Sequence, residues 1–97
     1  MSKQQNPEEF YNNLREKLYE TSSWPAEYLY KFIIKSSSEK IAQIEVIFDN
    51  MGAVINTKES SNGKYISISI NLLMRDPNAV IDKYLEVTEK VEGVISL

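Results

Sequence analysis

The side chains of this sequence that could do chemistry are serines, lysines, tyrosines and carboxylates, because its 97 residues include no cysteine and no histidine. That absence removes disulfides, thiol nucleophiles, Cys/His zinc sites and every Ser-His-Asp or Cys-His arrangement. Ser36-Ser37-Ser38 has only lysines to serve as an activating base. Lys64 and Tyr65 are neighbours in a strand pattern, so they point to opposite faces and do not form an acid–base pair. Asp82 and Glu86, four apart on a helix, face solvent, whereas a hard cation needs several converging oxygens. Glu8-Glu9 is charge suited to a helix N-terminus. Gly52, Gly63 and Gly93 stand apart, so no glycine-rich loop cradles a phosphate. The expectation is a protein with no catalytic site, no metal and no cofactor, whose polar groups serve binding.

Those polar groups gather when the chain pairs as a hairpin. Asn62-Gly63 is the strongest turn signal in the sequence, since a type I′ turn needs two positive φ angles that Asn and Gly tolerate. A two-residue loop there sets Ser60 opposite Tyr65, Lys58 opposite Ser67, Asn56 opposite Ser69 and Val54 opposite Asn71. One sheet face then carries Lys31, Lys58, Tyr65, Ser67, Ser69, Asn56 and Asn71, with Leu29 and Ile33 added by an earlier strand. This candidate binding face is hydroxyl-rich and cationic with little apolar surface, suited to an anionic ligand or to plain solvation. The loop Ser36-Ser37-Ser38 is a second candidate ligand site.

The elements that must position these residues follow from periodicity. Met1 to Gln5 is polar and expected to fray. Asn6-Pro7-Glu8-Glu9 reads as a capped helix start, and Phe10, Leu14 and Leu18, flanked by Tyr11, form an apolar stripe ending near Glu20. That stripe must be buried, either over Leu29 and Ile33 or on a second subunit. Trp24-Pro25 leads into a strand, Tyr28 to Lys35, whose Tyr28, Tyr30, Phe32 and Ile34 side is the core face.

Ser36 and Glu39 have capping-box spacing for a helix with Ile41, Ile44, Ile47, Phe48 and Met51 inward, closed by Gly52. Ala53 to Ser60 and Lys64 to Leu73 are the hairpin strands, the latter with Ile66, Ile68, Ile70 and Leu72 inward. Asp76-Pro77 opens a helix burying Val80, Ile81, Tyr84, Leu85, Thr88 and Val91; Val94 to Leu97 is a short last strand. After the first helix the order is β-α-β-β-α-β. We expect an α+β, ferredoxin-like split βαβ: a four-stranded antiparallel sheet in order 4-1-3-2. Residues 1–23 form an N-terminal helical extension and 24–97 the domain.

Charge narrows the function classes. Fourteen acids against eleven bases give a net charge of −3, which argues against a dedicated nucleic-acid binder. Locally, six bases face four acids between Lys31 and Arg75, and two bases face five acids from Asp76 onward. RNA-recognition motifs share the expected topology and place aromatics on the first and third strands. Here Gly63-Lys64-Tyr65-Ile66-Ser67-Ile68 offers one aromatic, and the first strand offers Leu29, Lys31 and Ile33. No apolar run is long enough to cross a bilayer and the start lacks a signal-peptide core, so the expected compartment is the cytoplasm.

The hairpin Ser60-Ser61-Asn62-Gly63-Lys64-Tyr65-Ile66-Ser67-Ile68-Ser69-Ile70 resembles the SSxGxYxSxSI signature of the YbeD-like family of small bacterial proteins of unknown function. Trp24-Pro25, Tyr28 and Tyr30-Lys31 are similar to that family's aromatic-Pro lead and F-x-Y-K first strand. The resemblance implies a ferredoxin-like βαββαβ fold, similar to ACT regulatory domains that bind amino acids and other small molecules. ACT ligand loops usually contain glycine, which Lys35-Ser36-Ser37-Ser38 lacks.

Three functions are therefore expected in order. The first is a cytoplasmic regulatory or adaptor module working through contacts with a protein partner, including a homodimer through the uncharged final strand or the N-terminal helix. The second is an ACT-like sensor of an amino acid or anion, and the third is weak RNA binding through Tyr65, Lys58 and Lys31.

Overall fold

The computed structural model describes residues 7–97, and places seven elements in the order α1 (Pro7–Thr21), β1 (Ala26–Lys35), α2 (Ser38–Ile47), β2 (Val54–Glu59), β3 (Tyr65–Met74), α3 (Pro77–Lys90) and β4 (Ile95–Ser96). The fraying expected for Met1–Gln5 and the Asn6 cap with its Glu9 contact involve residues outside that range. The fold is α+β, with one antiparallel sheet in the spatial order β2-β3-β1-β4. This is the expected 4-1-3-2 order counted over the four strands and seen from the other edge.

Alternation decides which side of the sheet is wet. Tyr30, Phe32 and Ile34 of β1 and Ile66, Ile68, Ile70, Leu72 and Met74 of β3 are buried, while their neighbours along each strand are mostly exposed. Ile44, Ile47 and Phe48 at α2, and Val80, Tyr84, Val87 and Val91 at α3, complete the same core cluster. All three helices thus pack on one sheet face.

The position of α1 departs from expectation. Tyr11, Leu14 and Leu18 pack against the core cluster, and the Tyr11 ring lies 6.3 Å from that of Tyr84 on α3. Trp24 donates its indole N–H to the Leu18 carbonyl (3.0 Å), tying the end of α1 to the link that enters β1, where the Trp24–Pro25 peptide is cis. The helix therefore joins the layer that already contains α3 and does not cover Leu29 and Ile33. Phe10, expected in the buried stripe, is 50% exposed, while its neighbour Tyr11 is the aromatic that meets Tyr84 of α3.

An aromatic and polar seam fixes the helices on the sheet. Tyr30, fully buried, donates to the Val80 carbonyl of α3 (2.9 Å), and the Tyr28 and Tyr84 hydroxyls share a hydrogen bond of 2.8 Å. The Tyr30 and Tyr84 rings meet edge to face at 4.8 Å, a favoured aromatic geometry. Burial pushes both phenols far above their ordinary range, and for Tyr84 the bond to Tyr28 adds to that. Lys83 of α3 donates to the Ile47 carbonyl at the end of α2 (2.8 Å), placing a cation where the helix dipole is negative.

Several local details differ from the sequence reading. Ser37, not Ser36, caps α2, accepting from the Lys40 N–H, because Ser36 is drawn to the hairpin. α2 stops at Ile47, and Asn50 and Gly52 both take positive φ in the turn that follows, so Gly52 closes a turn and not the helix. On α3 the buried residue is Val87, while Leu85 and Thr88 are exposed; the face that meets the sheet is centred on Val80, Tyr84, Val87 and Val91. Asp76 caps α3 as expected, accepting from the Ala79 N–H (2.8 Å), and this with the neighbouring Arg75 holds its carboxyl below the usual range.

The candidate binding face

The sheet face opposite the helices is set by the hairpin register. Lys58 lies opposite Ser67, Asn56 opposite Ser69 and Val54 opposite Asn71, as expected. The turn that produces this register is different. Gly63 donates its N–H to the Ser60 carbonyl (2.9 Å), and Ser60 donates to the Tyr65 carbonyl (2.8 Å), leaving a four-residue loop, Ser61 to Lys64. Among the loop residues only Gly63 has positive φ (72°). Asn62 instead uses its side-chain carbonyl to accept from the Lys64 N–H (3.0 Å) and the Ser60 hydroxyl (2.9 Å), the local bonding that makes Asn a turn residue without a left-handed backbone. Both loops give the same pairing, so the register survives the wrong turn type.

Through β1 the face extends as Leu29 opposite Asn71, Lys31 opposite Ser69, Ile33 opposite Ser67 and Lys35 opposite Tyr65. Glu27 faces Leu73 at the far end, and Ile95 of β4 pairs with Ile33. The face has two halves. On β2 and β3 lie Asn56, Lys58, Tyr65, Ser67, Ser69 and Asn71, the polar set expected from sequence. On β1 and β4, with the end of β3, lie Leu29, Ile33, Leu73, Ile95 and Leu97, whose N–H donates to the Lys31 carbonyl. Leu29 is 47% exposed, Leu73 64% and Ile95 53%. The expectation of little apolar surface is thereby corrected. Leu73 belongs to the face because β3 runs on to Met74, and Ile95 because β4 pairs with β1 at Ile33.

Among the described residues the charges of this face have no ion-pair partner. The ion pairs among the described residues are Arg75–Asp76 and the Lys83–Glu86–Lys90 set on α3. Lys31, Lys35, Lys58 and Lys64 join none of them. The side chains of Asn56, Ser69 and Asn71 make no hydrogen bond among the described residues, and Ser67 reaches the Lys58 carbonyl only at 3.5 Å. Tyr65 separates two shallow depressions: one of about 220 Å³ lined by Ile33, Lys58, Glu59, Ser60, Tyr65 and Ser67, the other of about 500 Å³ lined by Lys35, Ser36, Lys64 and Tyr65.

The serine loop is already occupied. Ser36 donates its hydroxyl to the Gly63 carbonyl and its N–H to the Lys64 carbonyl, Ser37 caps α2, and Ser38 is the first residue of that helix. These serines brace the hairpin and the helix, so a ligand would have to displace those bonds to use Ser36 or Ser37.

A second hollow of about 500 Å³ lies between α2 and α3, lined by Glu39, Ala42, Gln43, Val46, Ile47, Glu86 and Lys90. Its cation, Lys90, is paired with Glu86 (3.1 Å), and Val46 is its one strongly exposed apolar side chain. It offers less unsatisfied chemistry than the sheet face. Among the described residues no cluster of His, Cys, Asp or Glu could hold a metal ion, and no helix is long and apolar enough to cross a membrane. Comparison with protein-family models, curated proteins and solved structures yields no match.

Proposed function

We propose that this protein is a small regulatory or adaptor module that works through protein contacts made by its open sheet face. The observation that carries this is the band of exposed Leu29, Leu73, Ile95 and Leu97 around half-buried Ile33, on a face that none of the described helices covers. Contiguous exposed apolar surface of this kind marks interaction sites in soluble proteins. The strand order and antiparallel pairing support a ferredoxin-like arrangement, and the hairpin residues Ser60 to Ile70 support kinship with the YbeD-like family. A cytoplasmic setting is part of the same proposal. Self-association through β4 is a weaker form of it, since that strand has two residues and offers little edge to pair.

The hollow lined by Lys35, Ser36, Lys64 and Tyr65 favours a second reading, a sensor of a small anion such as an amino-acid carboxylate. Amide-shift mapping of the labelled protein separates the two. A protein partner is expected to move Leu29, Lys31, Ile33 and Leu73, whereas a small anion moves Lys35, Ser36 and Lys64 alone. Shifts confined to the hollow between α2 and α3 would overturn both.

A further inference from the structure

Resting on the reading of the open sheet as a protein-contact face, we infer that its partner is an acidic amphipathic helix, laid along β1 with its apolar side on the β4 half and its carboxylates on the β3 and β2 half. Geometry sets the length of that helix. Leu73 lies opposite Glu27, and Ile95 opposite Ile33, six residues further along β1. At about 3.3 Å per residue the apolar band runs roughly 20 Å. A helix rising 1.5 Å per residue covers that with about 13 residues, three to four turns of an apolar stripe. Such a stripe meets Leu73 and Leu29 at one end and Ile33 and Ile95 at the other, with Leu97 beside Lys31 between them.

Charge selects the sign of the partner. Lys31 stands inside the band, opposite Ser69, and Lys58 stands two strands away, opposite Ser67. Lys35 closes the hairpin end, and Glu27 is the one carboxylate on β1, at the opposite end. None of these lysines has an ion-pair partner among the described residues, so a row of carboxylates docks there without first breaking a bond. A nucleic acid fits less well. Tyr65 is the single aromatic on the face, and the band that would lie under the bases is aliphatic. A second copy of this chain fits less well too, because Lys31 and Lys58 would meet the same lysines across a two-fold axis through the middle of the face.

The test uses the full chain and synthetic probes. A helical peptide of about 14 residues carries leucines on one side and glutamates on the other. A second peptide replaces the glutamates with lysines, a third replaces the leucines with serines, and a short oligouridine is the nucleic-acid probe. The glutamate–leucine peptide is expected to bind and to shift Leu29, Lys31, Ile33 and Leu73, while the other peptides bind at least tenfold more weakly. The double change K31E/K58E should cost at least tenfold for that peptide and strengthen the lysine–leucine one, and L29S/L73S should also cost about tenfold. Unchanged thermal midpoints of these surface variants show that they fold.

Equal binding of the acidic and basic peptides would overturn the inference. So would oligouridine displacing the peptide in a manner that depends on Tyr65. Open-face shifts that appear on concentrating the free protein, with no peptide effect, would overturn the acidic partner yet leave the contact face standing as a self-association site. If no probe and no concentration moves the open face, the proposed function falls with it.

Discussion

Replacing Tyr30 by Phe removes one oxygen from the centre of the molecule. Its hydroxyl is fully buried and donates to the Val80 carbonyl at 2.9 Å, the bond that fastens α3 to β1. An intramolecular hydrogen bond contributes about 0.5–1.5 kcal/mol net. The Val80 carbonyl keeps its own helical partner after the change, so no acceptor is left wholly unpaired, and the cost should be about 1 kcal/mol. Unfolding entropy of roughly 2.1 cal/mol/K per residue makes that a fall of about 5 °C in Tm for a chain of this length. Tyr28→Phe should cost less than half as much, because Tyr28 is only half-buried and water can replace its bond to Tyr84. Urea and thermal unfolding followed by circular dichroism read both variants. A Tyr30→Phe protein as stable as its parent, or a larger loss in Tyr28→Phe, would refute the claim that this seam holds the helical layer to the sheet.

Three other outcomes follow from the same structure. Because burial holds the Tyr30 and Tyr84 phenols protonated in the folded state well above the unfolded value of about 10, their contribution is complete below that pH and lost as pH rises beyond it; urea midpoints should drop between about pH 9 and 11, and a flat profile would contradict this. Gly63→Ala places a side chain at φ +72° with no steric neighbour, so it should cost about 1–2 kcal/mol from backbone strain alone; a neutral effect on unfolding would show a relaxed loop. Leu18→Ala should cost about 1–2 kcal/mol, because Leu18 is half-buried against the core, while Phe10→Ala should stay within about 0.5 kcal/mol; the reverse order in denaturant melts would mean that α1 packs by its other side.

The elements and the register were legible in the sequence for physical reasons that can be named. Ile66, Ile68, Ile70 and Leu72 alternate over a buried face, and a one-residue slip would turn all of them to water, so the pairing of β2 with β3 is over-determined. Asp76-Pro77 likewise carries both a side-chain acceptor and a preset φ, and it begins a helix as expected. What was not legible depends on contacts far apart in the chain. The stripe of α1 names a helix face, yet only the meeting of Tyr11 with Tyr84 and of Trp24 with Leu18 decides which side of the sheet receives it. Ser36 and Ser37 compete for the same cap, and the Gly63 carbonyl, 27 positions away from Ser36, settles it. The polar half of the binding face came from hairpin register, whereas its apolar half needed the full length of β3 and the placement of β4.

A contact face of this kind has to be bare in the free protein. Methyl resonances read this directly when a soluble paramagnetic gadolinium chelate is added to the free protein. The structure predicts strong broadening of Leu29, Leu73 and Ile95, and protection of Ile34, Ile44 and Val87, with contacts between the Tyr11 and Tyr84 rings. Protected Leu29 and Leu73 methyls, with contacts from Leu14 or Leu18 to Leu29 and Ile33, would contradict it.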